Sequence, residues 1–248
     1  VSLDPSHFLP YCWPNYQNGR TLKLNDFTKL FFAIVLAHIV ASLVNEDRWL
    51  ILATKPMIMG AIIAYFIGHT SAYPNPFRKN FTLGFIFSLI GDIFLMLQGE
   101  QWFLAGLGSF LVAQVFFITG FFRSVSLRSG FLAKRPLWIL LPLAYAVSLL
   151  TWLWPGLDDM RIPVILYSIV LVGMLISALN RRGVADPSSY VWGTTGALFF
   201  VASDSLLAIN LFGDFPLPYS SLWIMGTYAT AQYSLMVSAL PKMEKVDQ

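Results

Sequence analysis

The chain has 248 residues, 56% of them hydrophobic and only 12% charged, with a formal net charge of +3. A soluble domain carries roughly 25% charged residues, so this composition points to an integral membrane protein. The charge is too small to suggest a nucleic-acid partner, and the single Cys12 excludes an internal disulfide framework.

Residues 1–26 mix Pro, Asn, Tyr and charges, lack a cleavable signal pattern, and are expected to form an N-terminal cytoplasmic segment. A membrane-crossing helix needs about 20 mostly apolar residues. Eight stretches approach that length: 27–45, 49–68, 81–98, 102–122, 137–154, 162–180, 190–211 and 219–240. Between them stand Asn45-Glu46-Asp47-Arg48, Pro74-Asn75-Pro76, Gln98-Gly99-Glu100-Gln101, the basic stretch from Arg123 to Pro136, and Pro155 to Arg161. A short tail, 241–248, follows. The expected architecture is therefore an all-α integral membrane protein of about eight transmembrane helices.

Eight crossings place both termini on one face, with the loops after helices 2, 4 and 6. That face collects Arg20, Lys23, Lys29, Arg78, Lys79, Arg123, Arg128, Lys134, Arg135, Arg181, Arg182, Lys242 and Lys245, against Arg48 and Arg161 on the other. By the positive-inside rule the chain reads N-in and C-in.

Helices 1–4 also align on helices 5–8. Gly84-Phe85-Ile86-Phe87 and Gly91-Asp92-Ile93-Phe94-Leu95 match Gly196-Ala197-Leu198-Phe199 and Ser203-Asp204-Ser205-Leu206-Leu207 at an offset of 112 residues. Gly108-Ser109-Phe110 with Ala113-Gln114 match Gly226-Thr227-Tyr228 with Ala231-Gln232 at an offset of 118. The pattern predicts two parallel four-helix repeats about an axis along the membrane normal. Glycines 84, 91, 106, 108, 193, 196 and 226 are expected to let helices pack closely.

Charges at bilayer depth are costly and mark functional sites by default. Three fall there: Lys55, Asp92 and Asp204. Counted at 1.5 Å per residue, all lie roughly 9–10 Å inside the less basic face. His38, Ser88, Ser203, Tyr167, Asn210, Tyr228, Gln232 and Gln114 share that layer or sit just beneath it, and Tyr167 stands at the 112-residue offset from Lys55. One polar pocket between the repeats, opening toward the outer leaflet, accounts for the set. Two aspartates against one lysine leave a carboxylate uncompensated unless it keeps its proton. Such an acid beside an ionised carboxylate suits general acid and base work. The plainer reading is an ion pair that fixes helix packing. Lys55 could instead hold a phosphate or snorkel to the interface, and His38 also reads as a packing residue. No metal-ligand spacing surrounds either aspartate, and no Gly-x-Ser-x-Gly elbow is present.

These residues resemble the YhhN-type lysoplasmalogenases, multi-pass membrane enzymes that hydrolyse the vinyl ether bond of lysoplasmalogens. The carriers are Lys55-Pro56-Met57, Ser88 to Asp92, Phe103 to Gly108 with Phe110, Pro163-Val164 with Tyr167, Gly196 to Phe200 with Ser203 to Ala208, and Thr227-Tyr228-Ala229 with Ala231-Gln232-Tyr233. At Gln114 many members have His, so a proton-donor role of that His does not carry over. The resemblance implies a lysophospholipid substrate in the membrane lipid and no cofactor or metal. It also implies a reaction: protonation of the vinyl ether β-carbon, addition of water to the oxocarbenium ion, and collapse to a fatty aldehyde and a glycerophospho-ethanolamine or -choline. Asp92 and Asp204 would supply the acid and the carboxylate, in an order the sequence leaves open. Lys55, Tyr167, Tyr228, Gln232, Asn210, Gln114 and His38 would bind substrate. Rival readings are a proton-coupled transporter, which also carries buried carboxylates at a repeat interface, and a non-catalytic lipid-binding protein.

Overall fold

The computed structural model describes residues 22–44, 48–72, 75–214 and 217–241. Most of the expected N-terminal segment and C-terminal tail, together with Arg20, Lys242 and Lys245, lies outside the described residues. The helices are α1 (Leu24–Val44), α2 (Arg48–Thr70), α3 (Pro76–Leu95), α4 (Glu100–Ser124), a single turn α5 (Phe131–Lys134), α6 (Leu140–Leu153), α7 (Arg161–Leu179), α8 (Pro187–Phe212) and α9 (Ser220–Ala239). No strand occurs among the described residues.

Helix α3 starts at Pro76 rather than at 81, because the Asn75 side chain accepts the Phe77 and Arg78 amide hydrogens at 2.7 and 3.3 Å. Asp186 caps α8 in the same way, accepting from the Ser189 amide at 2.9 Å. Both helices carry Pro at their first position, where its missing N–H costs nothing. Two 3-10 turns, Trp154–Gly156 and Asp158–Met160, link α6 to α7.

The chain is a multi-pass membrane protein. Six segments are long and apolar enough to cross a bilayer among the described residues: Leu24–Leu43, Trp49–Thr70, Glu100–Ser124, Pro136–Gly156, Asp158–Leu179 and Pro187–Phe212. Helices α3 and α9 stand outside that set for a physical reason. α3 carries Arg78, Lys79 and Asp92, and α9 is rich in Ser, Thr, Tyr and Gln. Both are shielded by protein: α3 packs on α2, α4 and α9, while α9 packs on α1, α2, α3 and α8. Polar residues are affordable where neighbouring helices, and not lipid, surround them.

The tightest helix pairs are α3 with α4 and α8 with α9. A Cβ on Gly196 would sit 2.9 Å from the Leu235 amide nitrogen and 3.0 Å from the Ala231 carbonyl, and one on Gly84 would enter the Phe117 ring. Gly91, Gly106 and Gly193 are equally tight, against Phe110, Leu95 and Arg181. Gly108 and Gly226 correct the expectation, since a Cβ there meets nothing within 4 Å.

At the basic end, Arg181 is 2% exposed and knots four helices. It donates to Ser124 Oγ at 3.0 Å and to the Ser189 carbonyl and hydroxyl at 3.1 and 2.6 Å, over the Phe121 ring. Ser189 in turn donates to the Ser238 carbonyl at 2.6 Å. Burial draws the Arg181 guanidinium down to about 10, with Asp186 opposing the shift, so it remains a cation at neutral pH. A loop arginine reads as topogenic in sequence. Here it is a structural bolt.

Candidate active site

The opposite end of the bundle, where α3 and α8 finish and α4, α7 and α9 begin, holds a cavity of about 130 Å³. Lys55 from α2, Asp92 from α3, Tyr167 from α7, Asp204 from α8 and Tyr228 from α9 line it together. Each belongs to a helix whose charged or hydroxyl group can escape lipid only by turning inward. The remaining wall is largely apolar, with Phe103, Leu107, Phe110, Leu149, Leu207 and Phe212 among its side chains.

The two carboxylates have different partners. Asp92 is held at both oxygens: Lys55 Nζ lies 3.6 Å from Oδ1, and the Tyr228 hydroxyl donates to Oδ2 at 2.7 Å. Asp204 meets neutral donors only, the Tyr167 hydroxyl at 2.5 Å and the Gln114 amide at 3.4 Å. Both donate to Oδ2, which leaves Oδ1 to the cavity. The two contacts, Lys55–Asp92 and Tyr167–Asp204, join residues that stand at the same offset of 112 residues.

The other expected residues are distributed around this centre. Gln114 touches Asp204 without lining the cavity, and Gln232 is fully buried one turn along α9 from Tyr228. His38 faces α2 and shares a 2.7 Å hydrogen bond between Nδ1 and Thr54 Oγ1, outside the cavity wall. Asn210 also lies outside that wall. Depth along a helix follows from residue number, but the side on which a residue faces depends on packing partners, and these two turn elsewhere. Sequence reasoning missed Ser168 and Ser205, which line the cavity, and Tyr145, whose hydroxyl donates to Ser205 Oγ at 2.9 Å. A lone tyrosine within the apolar run of α6 was the available signal.

Below the carboxylates the bundle is closed by rings. Phe81, Phe85, Phe117, Phe121 and Phe200 are all fully buried, and successive centroids lie 5.3–6.5 Å apart. Such spacing is that of favourable edge-to-face contacts. The cavity therefore has a floor.

Fold and site together define a polytopic helical membrane protein with two unequal carboxylates in one apolar-walled cavity. The chain belongs to the YhhN family, whose model matches residues 50–239. It is 31% identical over 191 residues to Lysoplasmalogenase TMEM86A of Homo sapiens, covering 75% of each chain. Lysoplasmalogenase TMEM86B of Homo sapiens is 37% identical over 153 residues, 62% of this chain and 60% of that one. The Lysoplasmalogenase of Mycobacterium tuberculosis is 29% identical over 181 residues, 71% of this chain and 63% of that one. No solved structure matches the chain.

Proposed function

We propose that this protein is a lysoplasmalogenase, hydrolysing the vinyl ether bond of a lysophospholipid to a fatty aldehyde and a glycerophospho-ethanolamine or -choline. The observation that carries the reading is the unequal pair: a lysine-compensated carboxylate and a carboxyl served only by neutral donors, facing one cavity.

That inequality supports one assignment of the roles. Asp92, next to the Lys55 ammonium, is the ionised carboxylate, since the cation offsets its charge. Asp204 is the acid, with the proton on Oδ1 while Oδ2 accepts from Tyr167 and Gln114. Asp204 protonates the β-carbon of the vinyl ether, and the α-carbon becomes an oxocarbenium ion. Asp92 stabilises the cation and accepts a proton from the water that adds to it. The hemiacetal then collapses, its hydroxyl proton passing to the departing glycerol oxygen. The alkyl chain lies along Phe103, Leu107 and Leu207, and the Lys55 hydrogens not directed at Asp92 face the phosphate.

The protein crosses the membrane with all eight long helices, N-in and C-in, in a bacterial inner membrane or the endoplasmic reticulum, and the cavity opens on the side opposite the basic end. A transporter would need a polar route onward from the carboxylates, and the phenylalanine floor speaks against one. The test is aldehyde release from lysoplasmalogen by purified protein, comparing wild type with Asp92→Asn and Asp204→Asn. Each variant is expected to lose about 10²–10⁴-fold in rate, the usual worth of a positioned acid or base. Full activity in either would sink the two-carboxylate mechanism, and an inactive wild type would sink the assignment itself.

A further inference from the structure

One turn beneath the two aspartates lies a second polar layer, of which the reaction above uses only the Gln114 amide as a donor to Asp204. Ser88 precedes Asp92 by four residues on α3, and Gln232 follows Tyr228 by four on α9. These helices run in opposite directions and touch, so both residues sit about 6 Å deeper than the Tyr228–Asp92 hydrogen bond. Gln114 follows Phe110 by four on α4, and the Phe110 and Tyr228 ring centroids are 5.9 Å apart, which puts Gln114 at the same depth.

All three side chains are fully buried, and four of their polar atoms make no protein hydrogen bond of good geometry: Ser88 Oγ, Gln114 Oε1, and both Nε2 and Oε1 of Gln232, whose amide lies beside the Tyr228 hydroxyl. Buried amides and hydroxyls find a partner, and where the protein offers none, ordered water serves in sites that are polar on several sides. Donors and acceptors converge here from three helices, with the phenylalanine floor below. Gln114 and Gln232 are equivalent positions of the two repeats, and each neighbours a tyrosine that binds a carboxylate, Tyr167 for Gln114 and Tyr228 for Gln232.

We infer that Ser88, Gln114 and Gln232 hold buried water beneath the cavity, and that this water links Tyr228 to Tyr167 as a relay returning the proton from Asp92 to Asp204 after each turnover. The inference rests on the lysoplasmalogenase reading. The bookkeeping requires such a return if the two aspartates keep distinct roles: Asp204 ends a cycle one proton short, having given it to carbon, and Asp92 ends one proton over, having taken it from water. Asp92 passes its proton to the Tyr228 oxygen as the Tyr228 hydroxyl proton moves to water. Water passes one to the Tyr167 oxygen as the Tyr167 proton moves to Asp204 Oδ2, and rotation of the carboxyl group then turns the protonated oxygen toward the cavity. No proton is gained or lost, and the amides position the water without being protonated. Gln232 is thus a positioning residue.

The relay acts only between turnovers, which separates it from a structural role. In Gln232→Leu, rapid-quench measurement of aldehyde is expected to show one turnover per enzyme at the wild-type rate, then a steady state at least tenfold slower with KM unchanged. Gln232→Glu, which restores polar atoms, is expected to recover the steady state. Ser88→Ala is expected to show the same burst in milder form and serves if the leucine variant does not fold. A high-resolution density map should show water between Gln232 and Tyr228. A first turnover slowed as much as later ones, an unchanged steady state, or the two glutamine amides bonded directly to each other would overturn the relay while leaving the activity standing. A wild type that releases no aldehyde would overturn the lysoplasmalogenase reading and the relay with it.

Discussion

Lys55 is the residue whose removal separates stability from chemistry. Its ammonium lies 3.6 Å from Asp92 Oδ1, and breaking a buried pair by deleting one member costs about 3–5 kcal/mol because the other charge is left uncompensated. Lys55→Met is therefore expected to lower the thermal midpoint in detergent and to abolish aldehyde release. Adding Asp92→Asn to it should restore much of the midpoint and none of the activity. A double variant no more stable than Lys55→Met would mean that Lys55 supports the fold by some other contact. On the other carboxyl, Tyr167→Phe removes the 2.5 Å donor and is expected to reduce the chemical step more than it raises KM, measured by the single-turnover rate. The charged members of this site were legible in sequence because a charge inside an apolar helix has few explanations. Arg181 was not, because a buried guanidinium beside a turn has the same sequence signature as one in solvent.

Among the elements, α8 and α9 are set by glycine at Gly196 and α3 and α4 by Gly84. The two contacts differ in what would have to yield. At Gly84 a flexible ring stands in the way, whereas at Gly196 it is the backbone of α9. Gly196→Ala is expected to destabilise by about 1–3 kcal/mol as overpacking does, read from the unfolding midpoint. Gly108→Ala and Gly226→Ala meet open space and are expected to be neutral or to gain about 0.5–1 kcal/mol from reduced backbone freedom. A Gly226→Ala variant that loses stability would show that its helix face is covered. The glycines were visible as letters, but which face each one occupies is a property of helix rotation. The same limit left His38 and Asn210 expected at the site, though neither lines the cavity.

At the scale of the molecule, charge and chemistry occupy opposite ends. Arg78, Arg123, Arg181 and Arg182 gather where α3 and α8 begin, and the carboxylate cavity lies where they finish. In sealed membrane vesicles of known orientation and a Cys12→Ser background, Tyr219→Cys at the cavity end is expected to react with a membrane-impermeant thiol reagent only from the extracytoplasmic side, and Leu127→Cys at the basic end only from the cytoplasmic side. Both positions are well exposed, so reactivity reports sidedness. The reversed pattern would invert the topology while leaving the site intact.

The phenylalanine floor has a further effect on traffic. With a packed aromatic layer beneath the cavity, the lipid substrate and the aldehyde product are expected to use the same opening, in turn. The aldehyde is as apolar as the tail it came from and has only the bilayer to leave for. Long-chain aldehyde added to the membrane should then compete with substrate, raising the apparent KM and leaving kcat untouched, and the catalytic rate in a cell would depend on how quickly a second enzyme clears the doorway.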